Sequence, residues 1–214
     1  MTSSEPVSHL HPPVRSFRRR GRMTPGRKLR YAEFAPRFNI ALEDISRWAP
    51  TIVDIGFGGG ESIVATATKL PGERVLGVEV HEAGITHLFT ELAAADISNV
   101  RVIRHDILEV LPAIAPRSLQ QICVFFPDPW PKIAHARRRL VRGDVVAQLV
   151  DRLVVGGVLR LATDATHYAE QMVLVCEAAP NLRPVRPSAR VQTKYERLGR
   201  EAGRSIVDLA YERT

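Results

Sequence analysis

From about residue 50 the chain alternates short apolar runs with longer helical stretches, and this alternation restricts the possible folds more than any single motif. Thr51–Ile55 is a short apolar run, broken by Asp54 and ended by glycines, and Ser62–Leu70 has the pattern of a helix. Arg74–Val80 reads as a second strand, Glu82–Ala95 as a second helix, Val100–His105 as a third strand. Gln120–Phe126 is apolar enough to be a fourth strand buried on both faces. Asp144–Val154 suits a helix, Gly156–Gly157 a turn, Val158–Ala162 a fifth strand, Ala165–Ala178 another helix and Ile206–Tyr211 a final strand. Strands that alternate with helical segments need crossover connections, and therefore a parallel sheet covered on both faces. The expected fold is α/β: a Rossmann-like, doubly wound, mostly parallel sheet flanked by helices, with an antiparallel C-terminal strand.

Charge divides the chain differently. Residues 1–30 hold Arg15, Arg18, Arg19, Arg20, Arg22, Arg27, Lys28 and Arg30 against the single acid Glu5, which accounts for the whole formal net charge of +7. The remainder is formally neutral. Pro6, Pro12, Pro13 and Pro25 interrupt the same stretch, which lacks hydrophobic periodicity. It reads as a basic, extended arm over 1–30 ahead of a Rossmann-like domain over 31–214, with Phe17 and Met23 of Ser16–Thr24 suited to docking on the body. A cationic arm on a neutral body is a footprint of a polyanionic partner, and a solvated tail is the alternative. The longest stretch free of Asp, Glu, Lys and Arg is Ser118–Pro127, about half of what a membrane-spanning helix needs. The N-terminus has no apolar core followed by small residues, so no secretory signal is expected. Cys123 and Cys176 are the only cysteines and each lies within an apolar stretch. A disulfide framework and a metal site are therefore not expected, and a reducing cytoplasm is the expected setting.

In an open parallel sheet, ligands bind beyond the carboxyl ends of the strands. The five strands deliver Asp54, Glu79, Asp106, Asp128 and Asp164 there. One acid could be a helix cap or a turn residue; five at equivalent positions suggest a site. The first strand runs into Gly56-Phe-Gly58-Gly-Gly60. A dinucleotide fingerprint has a small residue at its sixth position, where this chain has Glu61. That glutamate would repel a pyrophosphate from the helix terminus. A ligand without phosphates fits better, and S-adenosylmethionine is one: glycines let it lie against backbone, Glu79 can accept from ribose hydroxyls, and acids suit its sulfonium and ammonium charges.

Pro127-Asp-Pro-Trp-Pro-Lys132 follows the fourth strand. Three prolines remove three backbone donors and fix φ at alternate positions, and each pushes its predecessor, Asp128 included, towards extended geometry. The result is a rigid turn holding a carboxylate, an indole and an ammonium in fixed relation. A fixed aromatic beside a carboxylate suits a purine, which stacks while its edge donates to the acid. His135, Arg137, Arg138, Arg139 and Arg142 follow at this lip, and a second basic tract spans Arg183–Arg204; both suit phosphate contacts.

At DIGFGGGES, GVEVHEAG, HDILEVL, FFPDPWPK, RRRLV, LATD and TKYERLG, the sequence resembles the bacterial tRNA (guanine-N7-)-methyltransferase family. The resemblance runs in order from about Ser16, through GRMT in the arm, to the last residues. It implies that Asp54, Glu79, Asp106 and Asp128 bind S-adenosylmethionine and that Asp128 is the active-site residue. It also implies that Lys132, Asp164 and Thr193-Lys194-Tyr195-Glu196 bind the substrate, the variable-loop guanine of tRNA (guanine 46). Asp54 stands where the family usually has Glu, Ile133-Ala134 replaces a commonly basic pair, and Arg27-Lys28 occupies a place where many relatives carry Gln. The alternative is an S-adenosylmethionine-dependent methyltransferase acting on another RNA, a small molecule or a protein. Monomer and homodimer are both compatible with the sequence.

Overall fold

The computed structural model describes residues 23–214, so Arg15–Arg22 and Phe17 of the expected arm lie outside the described residues. In chain order the elements are α1 (Pro25–Phe38), α2 (Ile45–Trp48), β1 (Ile52–Ile55), α3 (Glu61–Lys69), β2 (Val75–Val78), α4 (Glu82–Ala94), β3 (Val100–Ile103) and α5 (Ile107–Val110). They continue with β4 (Leu119–Phe125), α6 (Gly143–Arg152), β5 (Leu153–Thr163), α7 (Thr166–Glu177), β6 (Leu182–Pro184), α8 (Lys194–Glu201) and β7 (Val207–Arg213).

The strands form one sheet of order β3-β2-β1-β4-β5-β7-β6. β1 to β5 pair in parallel, and β7 runs antiparallel to both β5 and β6. The doubly wound sheet with its antiparallel C-terminal strand is as the sequence pattern implies. Strand order reverses at β1, which places the ligand crevice beyond the carboxyl ends of β1 and β4.

Alternate residues of the central strands feed two cores, as a two-residue side-chain period requires. Val53, Ile55, Leu76 and Val78 pack with Val145, Leu149, Tyr168 and Met172 from α6 and α7. Ile52, Val75, Val100 and Val102 face the other way, onto Ile63, Leu88, Phe89 and Phe38. Gly77 has no side chain because a Cβ there would lie 2.7 Å from Ile63 and 2.8 Å from Phe57.

Three features differ from the sequence reading. The end of the arm is helical: Thr24 caps α1, its side chain accepting from Arg27 N, and Pro25 occupies the first turn, where its missing N–H costs nothing. Tyr31 and Phe38 of α1 pack on Phe89 of α4 with ring centroids 5.6 and 5.5 Å apart. β5 starts at Leu153, and Gly156–Gly157 form an irregularity inside it rather than a turn before it. Gly156 has φ +81° and a Cβ on Gly157 would meet the Leu119 and Val154 carbonyls at 2.9 Å. Finally, the Pro-containing stretch after Pro180 contains the short edge strand β6 and the helix α8.

Candidate active site

Two solvent-open cavities lie at the carboxyl end of the sheet and share one wall. The first is lined by Gly56 and Gly58, by Glu79–His81 after β2, by Asp106 after β3, and by Asp128, Trp130 and Tyr195. The second is lined by Asp164–His167 at the start of α7 and by Gly203–Ser205, and again by Phe126, Pro127, Asp128 and Tyr195. Asp128 and Tyr195 therefore separate two chambers.

The glycine loop is built by backbone demands. Gly56, Gly58 and Gly60 have φ of +68°, +59° and +88°, a region that costs other residues a clash at Cβ. A Cβ on Gly58 would come 2.6 Å from Tyr195, and one on Gly84 of α4 would come 2.2 Å from the Gly58 carbonyl. The loop is thus gripped between α4 and α8. Glu79, 6% exposed, fastens it to β2: Gly58 N donates to Oε2 at 3.0 Å, while Val80 N and His81 N donate to Oε1 at 2.7 and 2.9 Å. An ionised carboxylate has about four acceptor sites, so this one can still take a ligand hydroxyl. Asp106 caps α5 by accepting from Leu108 N at 3.0 Å and faces the first cavity.

Asp54 is placed otherwise. Its neighbour Ile55 lines the cavity, whereas Asp54 does not; strand alternation turns it to the opposite face, level with Gly77, Cys123 and, one strand further, Arg160. It is buried beneath the glycine loop. Burial lifts its carboxyl from 3.8 to about 7, opposed by a hydrogen bond with Ser62, reinforced by Glu79 and opposed by Arg160. Gly60 likewise lies outside the cavity wall, at the start of α3 and against Leu88.

Asp128 sits in a turn whose two flanks are strained. Phe126 and Trp130 adopt φ of +52° and +40°, each at a cost of about 1–3 kcal/mol that surrounding structure has to offset. Phe126 N donates to Ala162 O at 2.7 Å and ties the turn's front end to β5. The indole of Trp130 is buried, edge-on to His135 with Arg138 5.0 Å above it. It lines the first cavity and not the second, so the aromatic rings that share a chamber with Asp128 and Asp164 are those of Phe126 and Tyr195.

The basic run splits on folding. Arg137 is exposed, whereas Arg139 is buried and turned inward onto the carbonyls of Pro129 and Trp130. Lys132 is exposed at the end of the turn and lines neither cavity. Asp164 lines the second cavity and accepts from Arg204 Nε at 2.8 Å.

Thr193 caps α8, accepting from Glu196 N at 3.3 Å, and Lys194 projects from its first turn into solvent. Glu196 does not face a chamber. Arg190 Nη1 donates to its Oε2 at 2.5 Å and Arg200 Nη2 to its Oε1 at 2.8 Å, while Arg190 Nε also donates to Asp208 at 2.6 Å. Burial pushes the Glu196 carboxyl up, but Arg200 and Arg190 together hold it below the ordinary 4.5. Arg190 stacks on Phe125 and Phe126, 5.3 and 5.2 Å from the ring centroids. This network seats α8, and so Tyr195, over the glycine loop. His167 lines the second cavity without having been singled out in the sequence; its place three residues after the strand-end acid Asp164 was the available signal.

Among the described residues, no helix is long and apolar enough to cross a membrane and no group of three or more His, Cys, Asp or Glu could hold a metal ion. A family model described as "Putative methyltransferase" matches residues 48–209. The chain is 44% identical over 224 residues to a tRNA (guanine-N(7)-)-methyltransferase of Leifsonia xyli subsp. xyli (strain CTCB07), covering 97% of this chain and 98% of that one. It is 42% identical to the protein of the same name from Burkholderia lata, covering 95% and 86%. A solved geranyl diphosphate C-methyltransferase from Streptomyces coelicolor A3(2), in complex with Mg2+, geranyl diphosphate and S-adenosyl-L-homocysteine, shares the fold with a TM-score of 0.54. That match has 16% identity and covers 87% of this chain and 77% of that one.

Proposed function

The chain belongs to the tRNA (guanine-N7-)-methyltransferase family, and from that premise we propose that it transfers the methyl group of S-adenosylmethionine to N7 of guanine 46 in the tRNA variable loop. The observation that carries this reading is the pair of chambers meeting at Asp128: one for the methyl donor, one for the base. The first suits S-adenosylmethionine in its donor set. Gly58 allows close approach, Glu79 keeps an acceptor for a ribose hydroxyl, and the acids Asp106 and Asp128 complement sulfonium and ammonium charge. Asp54 contributes charge from beneath the loop, and Gly56 and Gly60 its shape. When bound, S-adenosylmethionine supplies an electrophilic methyl group.

Guanine N7 carries an in-plane lone pair and no proton, so its alkylation requires no base. Asp128 on this reading orients the purine and stabilises the positive charge growing on it, and the rate gain comes from alignment and a preorganised field. Tyr195 offers a face for the base and Asp164 an acceptor for its edge, while Thr193 and Glu196 hold the helix that carries Tyr195. Lys132 and Lys194 supply phosphate contacts from the exposed rim. N7 lies on the deep groove edge of A-form RNA, so the guanine leaves its tertiary contacts to reach Asp128, as base-modifying enzymes require. The basic residues before α1 add tRNA affinity ahead of a methyltransferase domain over 31–214, and the cytoplasm, where tRNA resides, is the proposed setting.

Asp128→Asn keeps the shape and removes the charge. It should lower kcat about a hundredfold or more while tRNA binding stays near wild type. Wild-type turnover in the Asn variant would overturn the assignment.

A further inference from the structure

The turn that carries Asp128 has an unusual hydrogen-bonding inventory. Pro127, Pro129 and Pro131 contribute carbonyls but no N–H groups, so the turn cannot close on itself through the usual backbone donors. Its strained flanks at Phe126 and Trp130 need external restraint. The front end has one, the Phe126 N–H donated to Ala162 O. The rear end offers two carbonyls, and both are taken by one side chain: Arg139 Nε donates to Pro129 O at 2.8 Å and Arg139 Nη2 to Trp130 O at 3.3 Å.

That guanidinium is itself fixed. Arg139 is 7% exposed, its Nη1 donates to Gln171 Oε1 of α7 at 2.5 Å, and it lies 5.2 Å over the ring of Tyr168, also on α7. The same two α7 side chains grip the chain just beyond: Val141 N donates to the Tyr168 hydroxyl at 2.9 Å and Gln171 Nε2 donates to Val141 O at 2.8 Å. The link therefore runs from α7 through a planar fork to the backbone carbonyls that follow Asp128. With three of its five N–H donors committed and its side chain buried, this guanidinium is turned away from any phosphate at the surface.

We propose that Arg139 is a positioning residue for methyl transfer: by clamping the Pro129 and Trp130 carbonyls to α7 it fixes the Asp128 carboxylate between the two chambers, and it is not an RNA contact. The proposal rests on the role given above to Asp128. Arg is required because three separate N–H directions are used at once, on acceptors in different places, and the single ammonium of Lys cannot reproduce that fork.

Arg139→Lys tests it, beside Gln171→Ala as a milder variant that removes the Nη1 partner and the Gln171–Val141 hydrogen bond but leaves the guanidinium on the turn carbonyls, and Arg137→Ala at the exposed neighbour. Each is assayed as the full chain for kcat, for tRNA Kd at two salt concentrations, and for acrylamide quenching of Trp130 in a Trp48→Phe background. Arg139→Lys should lower kcat at least about tenfold, leave tRNA Kd within about twofold and its salt slope unchanged, and expose Trp130 to quencher. Gln171→Ala should shift kcat and quenching in the same direction by less. Arg137→Ala should instead weaken tRNA binding and reduce the salt slope by about one. Weaker tRNA binding with a reduced slope in Arg139→Lys, or wild-type kcat with unchanged quenching, would overturn the proposal. The quenching readout does not depend on which substrate is methylated, so failure of the functional reading and failure of the clamp are separate results.

Discussion

Replacing Asp54 by Asn should make the protein more stable at high pH than at low pH relative to the parent, by an amount the structure sets. Asp54 is 3% exposed in the middle of β1, and burial, opposed by Ser62, holds its carboxyl at about 7 against 3.8 for the free side chain. The folded state thus binds this proton more tightly than the unfolded state. Stability from that tighter binding is fully present below pH 3.8 and is lost as pH rises through 7. At about 1.4 kcal/mol per pH unit, the whole loss is about 4 kcal/mol, of which about 2–3 kcal/mol falls between pH 5 and pH 8. Asn has the same shape and no proton to lose. Urea unfolding of both proteins at pH 5 and pH 8 should therefore show the variant gaining about 2–3 kcal/mol on the parent across that interval. Other titrations, such as that of Glu196, occur in both proteins and cancel. A stability difference that is the same at both pH values would refute the reasoning. The gain should carry a loss, because the charge beneath the glycine loop is the one proposed to favour a cationic ligand: S-adenosylmethionine affinity should fall as stability rises, a trade found where a strained group serves function.

Three further outcomes follow from the same geometry. Gly84→Ala places a methyl 2.2 Å from the Gly58 carbonyl, so isothermal titration should show S-adenosylmethionine affinity reduced at least about tenfold as the loop is displaced, and unchanged affinity would show the loop to be compliant. Arg190→Ala leaves Glu196 with Arg200 as its remaining partner and returns the exposed Asp208 to water, so the cost is that of lost charged hydrogen bonds, about 1.5–3 kcal/mol. In the parent, stability from Glu196 is present above the ordinary 4.5 and is lost as pH falls through its lowered value; because Arg200 still holds the carboxylate in the variant, urea unfolding at pH 7 and pH 3.5 should show that loss reduced, and an equal loss in both proteins would count against it. Deleting residues 1–24, which carry five of the arginines ahead of α1, should flatten the salt dependence of tRNA binding, which for roughly six neutralised phosphates is about a thousandfold between 50 and 200 mM; an unchanged slope would make the stretch a passive tail.

The central sheet was legible because short apolar runs between helical stretches survive almost any detail of packing: β1 to β4 fall within a residue or two of the expected spans. What was missed depended on partners far along the chain. The helix α8, Lys-Tyr-Glu-Arg-Leu-Gly-Arg-Glu, has almost no apolar face, and its stability comes from a Thr193 cap and from Arg190 and Asp208 outside it. The Thr193-x-x-Glu196 spacing is itself a helix-start signal, as Thr24-Pro25 is for α1, and both lay hidden in basic sequence. Composition could not separate Arg139 from Arg137 in a run of three arginines, since the difference is made by Tyr168 and Gln171 on α7. Glu79, Asp106 and Asp128 line the first cavity, as strand-end acids are expected to, and Asp54 does not, because one residue along a strand reverses the face.

The most direct measurement of the account is nucleoside analysis after incubating the protein with unmodified tRNA and methyl-labelled S-adenosylmethionine. The account predicts label in 7-methylguanosine at guanine 46 of the variable loop. Label in any other nucleoside, or none in the tRNA, would contradict it.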